Sequence, residues 1–252
     1  MSAAALLEAL DLPAAALVEK RVPKTLLQEH GAVTAADKRQ INEGIEQLLW
    51  VAALKPTTIG VAAYRGGQRE VVELAVLRLS LREGAKASRL IALVHRAVPY
   101  PVLLVAEGGT GVSFSMACKR WSQAEAGQTV LEGEVEEVVW EGERDREHWP
   151  AFSEALALGR QPRGHLWELY LGWLETLRAL RAARISGSFS LPETAERAAL
   201  RREALREWAG LERESVRLRA AAAKETQLAR RVELNLALKR LEAAREAAQA
   251  NL

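Results

Sequence analysis

The stretch HRAVPYPVLLV, residues His95 to Val105, combines the end of a helix, two prolines and a buried strand. Apolar side chains recur at helical spacing from Ala87 to Val98, and Pro99 ends that helix because it has no backbone N–H to donate. The apolar residues that follow Pro101 predict a fully buried strand. A helix that leads directly into a buried strand indicates a layered domain in which helices cover a sheet.

Further strands are predicted on both sides of this stretch. The segment REVVELAVLRLSLR, residues 69–82, alternates apolar and polar side chains over its second half, which is typical of a strand with one polar side. Gly66 and Gly67 separate it from TTIGVAAY, residues 57–64, and the pair predicts a hairpin. Downstream, strands are expected at 112–122, across a hairpin turn at 108–111, and at 133–142.

Helices are predicted before and after this set of strands. Thr34 and Asp37 form a capping-box pattern, and apolar residues at helical spacing extend the predicted helix from there to Ala52, before Pro56. The N-terminal segment carries Glu8 within an apolar pattern, so we expect a short amphipathic helix there and no signal peptide. Helices are also expected at about 150–159 and 165–184, and the chain is expected to be helical from 194 onward.

Together these patterns predict an α+β fold, with a mixed sheet of about five strands packed with helices and followed by a long C-terminal helix or helical hairpin. The predicted organisation is an α/β core domain at 1–150, a helical connection at 151–190 and a helical, coiled-coil-like region at 191–252. The 49% hydrophobic and 27% charged content is that of an ordinary globular protein. No apolar stretch is long enough to span a bilayer and Cys118 is the single cysteine, so we expect a cytoplasmic protein without membrane association.

The sequence contains no complete catalytic or metal-binding motif. Its four histidines show no close pairing, so no metal ion or cofactor is expected. The glycine-rich turns lack the lysine–serine pair of a phosphate-binding loop, and there is no serine-nucleophile elbow. No catalytic residue is therefore nominated, and a protein without enzymatic activity is favoured over an enzyme.

A magnesium-dependent nuclease of the PD-(D/E)xK type, with a degraded motif, is the alternative. The core of such nucleases also runs helix, strands, helix, strand, and carboxylates hold the metal ion. The available acids are Glu43, Glu46, Glu70 and Glu73, but the segment ELAVLRLS lacks the required acid-x-lysine pair. This alternative requires Glu43 or Glu46 to lie within metal-bridging distance of Glu73.

The segment CKRWSQ, residues 118–123, is a candidate nucleic-acid-binding surface because its cations can neutralise phosphates while its tryptophan can stack on a base. The alternative interpretation is an ordinary strand end with a half-buried tryptophan. The segment KRVPK and Lys55 would extend the patch if the fold brings them together. The nominated nucleic-acid-binding residues are Lys20, Arg21, Lys24, Lys55, Lys119, Arg120, Trp121 and Gln123.

The C-terminal segment KETQLARRVELNLALKRLE, residues 224–242, carries leucines on several helical faces. A helix with apolar residues on more than one face needs more than one neighbour, so we expect this segment to be the main assembly element. Packing against the chain's own helices alone is the alternative. The nominated partner-binding residues are Leu228, Val232, Asn235, Leu236 and Lys239.

The ordered segments KRVPK, TAADK, LKPTTI, HRAVPYPVLLV, KRWSQAE and KETQLARRVELNLALKRLE resemble a family of short bacterial proteins grouped as domain of unknown function 4391. The resemblance spans nearly the whole chain. It implies a gene encoded near restriction-modification-type genes, such as those for helicases and DNA methyltransferases, in a setting of phage defence. We therefore expect an accessory subunit that binds a helicase, a methyltransferase or another protein of the same operon. DNA and a second copy of the chain, bound through the C-terminal helices, are further candidate partners.

Overall fold

The structure is a computed structural model that describes residues 1–109, 111–124 and 127–252. The chain forms two compact units, Met1–Leu177 and Arg178–Leu252. Thr110, in the predicted turn at 108–111, and Glu125, in the segment KRWSQAE, lie outside the described residues. Within the described ranges, no helix combines the length and the apolar character needed to cross a membrane.

A six-stranded sheet organises the first unit. In this sheet β1, β2, β5, β6, β7 and β10 are neighbours in that order, and every neighbouring pair is antiparallel except the parallel pair β5 and β6. The remaining strands form two small hairpins, β3 with β4 and β8 with β9. The strands are β1 (Leu17–Arg21), β2 (Ile45–Leu54), β3 (Tyr64–Gly66), β4 (Arg69–Val71), β5 (Leu74–Leu81), β6 (Val102–Gly108), β7 (Gly111–Met116), β8 (Lys119–Trp121), β9 (Thr129–Leu131) and β10 (Glu136–Val139).

Helices pack with this sheet and make up most of the second unit. The mixed sheet, its helices and the helical C-terminal part confirm the predicted α+β class, although the main sheet has six strands where about five were expected. Helix α8 contains the boundary between the two units. The helices are α1 (Ala3–Ala9), α2 (Lys24–His30), α3 (Ala35–Gly44), α4 (Pro56–Ile59), α5 (Ala87–Ala97), α6 (Glu143–Arg146), α7 (Trp149–Leu156), α8 (Leu166–Ser186), α9 (Ala195–Lys224) and α10 (Leu228–Gln249).

Helix α5 is the crossover that makes β5 and β6 parallel. Its residues Leu90, Ile91, Leu93 and Val94 are buried in one apolar core with residues of β2, β5 and β6. Each such side chain stabilises the fold by about 1.5–3 kcal/mol when it is fully buried. The predicted helix at 87–98 and the predicted strand after Pro101 are both confirmed.

The predicted helix from Thr34 to Ala52 is wrong in its second half. Helix α3 ends at Gly44, and the residues that follow form strand β2 between β1 and β5. The run of apolar residues in this segment suits a strand buried within a sheet as well as it suits a helix, so periodicity does not separate the two. A Cβ atom at Gly44 would lie 2.8 Å from Cδ1 of Leu90, so a larger residue at the end of α3 would force the Leu90 side chain of α5 to shift.

Four predicted strands are shorter than the sequence indicates, and the strand expected at 133–142 is reduced to β10 (Glu136–Val139). TTIGVAAY contributes only Tyr64 to a strand, because Pro56 begins helix α4 and Gly60, with φ of 66°, ends it. The segment 69–82 is interrupted between β4 and β5, and the segment 112–122 is divided into β7 and β8. Both predicted hairpins are nevertheless present, one formed by β3 and β4 and the other by β6 and β7.

Helices α9 and α10 form an antiparallel hairpin in the second unit. Ion pairs join Arg219 to Glu242 at 3.4 Å and Arg245 to Glu212 at 2.9 Å, so positions later in α10 pair with positions earlier in α9. The Arg245 guanidinium also lies 4.6 Å from the centre of the Trp208 ring. Of the two forms predicted for the C-terminal region, the structure has the helical hairpin.

Candidate partner-binding surface and basic residues

Five residues of α10 form one exposed face of the C-terminal hairpin. Leu228, Val232 and Leu236 expose 67%, 49% and 53% of their surface. Successive residues of a helix are rotated by about 100°, so these three and the exposed Asn235 and Lys239 fall within an arc of about 100°. All five nominated partner-binding residues therefore lie on one exposed face, which we call the α10 stripe.

The other leucines of this segment face α9. Leu234, Leu238 and Leu241 are half-buried and lie on the same side of α10 as Arg245, whose guanidinium contacts Trp208 of α9. Packing within the hairpin thus accounts for one apolar face of the segment. It leaves the apolar residues of the α10 stripe, Leu228, Val232 and Leu236, about half or more exposed.

Cations flank the α10 stripe. Arg231 and Arg240 are exposed on either side of it, and Lys239 lies on it. Glu233 is the acidic residue of α10 between Leu228 and Arg240, and it is rotated by about 140° around the helix from Leu228. An apolar stripe with a positive rim fits a partner surface whose apolar residues are bordered by carboxylates.

The nominated basic residues of the N-terminal segment differ in what their side chains contact. Lys20 and Arg21 are exposed on the edge strand β1, and the described part of the chain offers their side chains no ion pair or hydrogen bond. Lys24 instead donates hydrogen bonds to the carbonyl oxygen of Asn42, at 3.0 Å, and to that of Ile45. Burial lowers the pKa of Lys24. Lys24 therefore links α2 to the junction of α3 and β2. Of these three residues, Lys20 and Arg21 remain available to a ligand.

Two further nominated cations, Lys55 and Arg120, also have partners within the chain. Lys55 forms an ion pair with the buried Glu73 at 3.0 Å. Arg120 is half-buried and donates a hydrogen bond to the Trp121 carbonyl at 3.0 Å, and the indole itself is half-buried. Gln123 is exposed. The segment CKRWSQ thus presents less free cationic surface than its composition indicates.

Lys119 departs from the exposed position that the sequence predicts for it. The residue is 5% exposed, and Nζ donates hydrogen bonds to the carbonyl oxygens of Val98 and, at 2.6 Å, Tyr100. Burial lowers the pKa of Lys119 to about 7. The prediction of a surface cation is wrong because β8 leaves the main sheet and directs Lys119 at the carbonyl groups that follow the end of α5, where a cation is favourable.

Two buried polar side chains nearby were not nominated from the sequence. His95 is fully buried in α5, its Nε2 lies 2.9 Å from Ser115 Oγ, and burial lowers the pKa of the imidazole to about 3. The Tyr170 hydroxyl of α8 accepts a hydrogen bond from the Ala117 N–H at 2.9 Å, and burial raises its pKa. The position of His95 beside an apolar helix face is the sequence signal that could have indicated its burial.

The structure separates the carboxylates on which the nuclease alternative depends. In the ladder of β2 and β5, Glu46 lies beside the Ile45 end and Glu73 precedes the opposite end, so about seven strand positions, or more than about 20 Å, separate them. Glu43 precedes β2 at the same end as Glu46, whereas Glu70 pairs with Arg65 at 2.6 Å. Among the described residues, no group of three or more His, Cys, Asp or Glu side chains could hold a metal ion.

A protein-family model matches residues 10–244, and its description is Domain of unknown function (DUF4391). The chain belongs to this family. No curated protein and no solved structure matches the chain. All of the nominated nucleic-acid-binding and partner-binding residues of this DUF4391 chain lie inside the matched range.

The segments that carry the resemblance have defined places in the structure of the DUF4391 chain. HRAVPYPVLLV forms the junction of α5 and β6, where Lys119 is anchored. The C-terminal segment at 224–242 runs from the end of α9 through the α10 stripe. The family match therefore includes both the crossover of the sheet and the exposed face of the hairpin.

Proposed function

We propose that this DUF4391 chain is an accessory subunit of a bacterial phage-defence or restriction-modification-like system, and that it binds a partner protein through the α10 stripe. The observation that carries the proposal is the exposure of Leu228, Val232 and Leu236 side by side on one helix face. Covering apolar surface is favourable by about 25 cal/mol per Å². The setting comes from the family resemblance, which makes a helicase or a DNA methyltransferase of the same operon the candidate partner.

The partner element that fits this face best is an amphipathic helix with carboxylates beside its apolar residues. Apolar residues at spacing of four along α10 match the ridges of a second helix. Leu228 and Leu236 are about 12 Å apart along the helix axis, so the contact takes about two turns of the partner. If two copies of the chain met through this face, Arg231 and Lys239 of one copy would lie near the same cations of the other copy and repel them. This repulsion favours a different protein over a second copy as the partner.

A smaller role in DNA contact is supported by one observation, the exposure of Lys20 and Arg21 on β1. Exposed neighbouring cations can neutralise phosphates and so release counterions. This contact would be weak by itself, because the net charge of the chain is only +2 and the other nominated lysines have intrachain partners. We therefore propose DNA as a secondary ligand within an assembly.

Co-purification of the full-length chain with each protein of its own operon, one at a time, tests the main proposal. We expect the double variant V232E/L236E to lose its partner, with affinity reduced about 10- to 100-fold. The double variant L200E/V216E is the matched control, because Leu200 and Val216 are 50% and 56% exposed on α9. Equal binding by both double variants would contradict the proposal, and so would a self-association that only V232E/L236E abolishes, since the occupant would then be a second copy.

A further inference from the structure

A cavity of about 380 Å³ opens where β5 and β6 end and helix α5 begins. Its apolar wall includes Leu81, Ala106 and Val139, and its polar groups include Lys86, Ser113 and Glu137. This volume lies within the range of small-molecule sites. The carboxyl ends of parallel strands are also where open α/β sheets commonly bind ligands. The location and the size of the cavity both suit a small molecule.

The first turn of α5 supplies hydrogen-bond donors to this cavity. The backbone N–H groups of Ala87, Ser88 and Arg89 have no hydrogen-bond partner among the described residues, and the N-cap residue Lys86 makes no capping bond with its side chain. The helix dipole adds positive potential at the same end. A helix start with free N–H groups favours an anion.

Ser113 provides an independent indication of a ligand. It is only 7% exposed and lines the cavity, but within the described ranges its hydroxyl has no hydrogen-bond partner. Its neighbours across the strands, Ala106 and Val139, line the same cavity, so Ser113 lies on the sheet face that α5 covers. Ser115 follows on that face and is bonded to His95. Ser113 is thus a nearly buried polar group directed at the cavity, where a ligand would satisfy it.

The charged groups around the cavity narrow the class of ligand. Arg89 is already held by Asp37 at 2.7 Å, whereas Lys86 is exposed and makes no ion pair in the described part of the chain. The Glu107 carboxylate is bonded to Arg78 on the other face of the sheet, so it does not face the anion site. Glu137 lies on the same face as Ser113, half-buried and without a partner among the residues described. The lining of the cavity therefore combines hydrogen-bond donors with one carboxylate acceptor that has no partner among the described residues.

We propose that this cavity binds a small phosphomonoester of about mononucleotide size. The first-turn N–H groups of α5, Lys86 and the Ser113 hydroxyl hold the phosphate. The apolar wall covers the organic body, and Glu137 accepts a hydrogen bond from it. The site is distinct from the α10 stripe and does not depend on the proposed function.

Titration of the full-length, ¹⁵N-labelled chain with adenosine 5′-monophosphate, and separately with inorganic phosphate, tests this proposal by NMR. We expect AMP to shift the amide signals of Ala87, Ser88 and Ser113, and to bind at least about 10-fold more tightly than phosphate. The variants S113A and K86E should each weaken AMP binding about 10-fold. The matched control K20E changes the same charge on the exposed strand β1 and should leave AMP binding unchanged.

Three results would overturn the proposal. The first is that AMP leaves the α5 amide signals unshifted, the second is that phosphate binds as tightly as AMP, and the third is that K20E weakens AMP binding as much as K86E does. Because Lys86 is exposed, K86E does not disturb the core and gives a result even if S113A alters the fold. The proposed function is tested separately, since none of these variants changes the α10 stripe.

Discussion

The ammonium group of Lys119 donates a hydrogen bond to the carbonyl oxygen of Tyr100 at 2.6 Å, inside the first unit. Burial lowers the pKa of Lys119 from its ordinary 10.5 to about 7. Between these values the unfolded chain holds a proton that the folded chain has released, so the free energy of unfolding should rise with pH by about 1.4 kcal/mol per pH unit. We expect the variant K119M to lose this rise. Urea unfolding at pH 7.5, 8.5 and 9.5 measures the change in the free energy of unfolding with pH, and K20M is the control at an exposed lysine. If the free energy of unfolding changed equally with pH in the wild type and K119M, the result would contradict the burial of the Lys119 ammonium group.

His95 should make the fold sensitive to mild acid. Burial lowers the pKa of His95 to about 3, from an ordinary value of 6.5. Below pH 6.5 the unfolded chain takes up a proton that the folded chain does not, so the free energy of unfolding should fall by about 1.6 kcal/mol between pH 6.5 and 5. The variant H95Q stays neutral and should lack this component. Chemical unfolding over that range compares the two proteins, and a parallel decline in both would show that other groups cause the acid sensitivity.

The Tyr170 hydroxyl should stabilise the packing of α8 on the sheet. It accepts a hydrogen bond from the Ala117 N–H at 2.9 Å and lies 3.0 Å from the Val102 carbonyl oxygen. The variant Y170F leaves these buried groups without that partner, so we expect the free energy of unfolding to fall by about 1–3 kcal/mol. Y100F is the control, because the half-buried Tyr100 hydroxyl has no partner in the described chain. Equal stability of Y170F and Y100F in thermal and urea unfolding would rule out this role.

Any contact with DNA should depend on Lys20 and Arg21. Each neutralised phosphate adds about 0.9 to the slope of log affinity against log salt concentration, so K20A/R21A should reduce that slope by about 2. K38A/R39A is the matched control, because Lys38 and Arg39 are a neighbouring exposed pair on α3. Fluorescence anisotropy with a labelled duplex at several salt concentrations gives the slopes. Equal slopes for the two double variants would remove β1 from any DNA contact.

The elements that begin at capping residues or end at a proline could be predicted from the sequence. Pro99 and the helical spacing before it locate α5 and β6, and Thr34 with Asp37 locates the start of α3, where the Thr34 hydroxyl accepts from the Asp37 N–H at 3.1 Å. Strand β2 could not be predicted, since its apolar run satisfies both a helix and a buried strand. Only its pairing with β1 and β5 decides between them.

The candidate sites likewise include one feature that local sequence pattern predicts and others that depend on contacts between distant parts of the chain. The exposed face of α10 follows from helical spacing, because residues four apart share a face in any helix. The burial of Lys119 does not follow from local pattern, since it depends on two carbonyl groups about twenty residues earlier in the chain. The unpartnered Ser113 hydroxyl likewise becomes visible only when β7 is placed beside β6 and β10.

Hydrogen–deuterium exchange of the full-length chain, alone and with the operon protein that co-purifies with it, tests the central claim most directly. The claim is that a partner covers the α10 stripe. We predict slower exchange over residues 228–240 in the complex, with exchange in α9 around Leu200 and Val216 unchanged. A complex in which 228–240 exchange as in the free chain, while another element such as β1 becomes protected, would contradict the account.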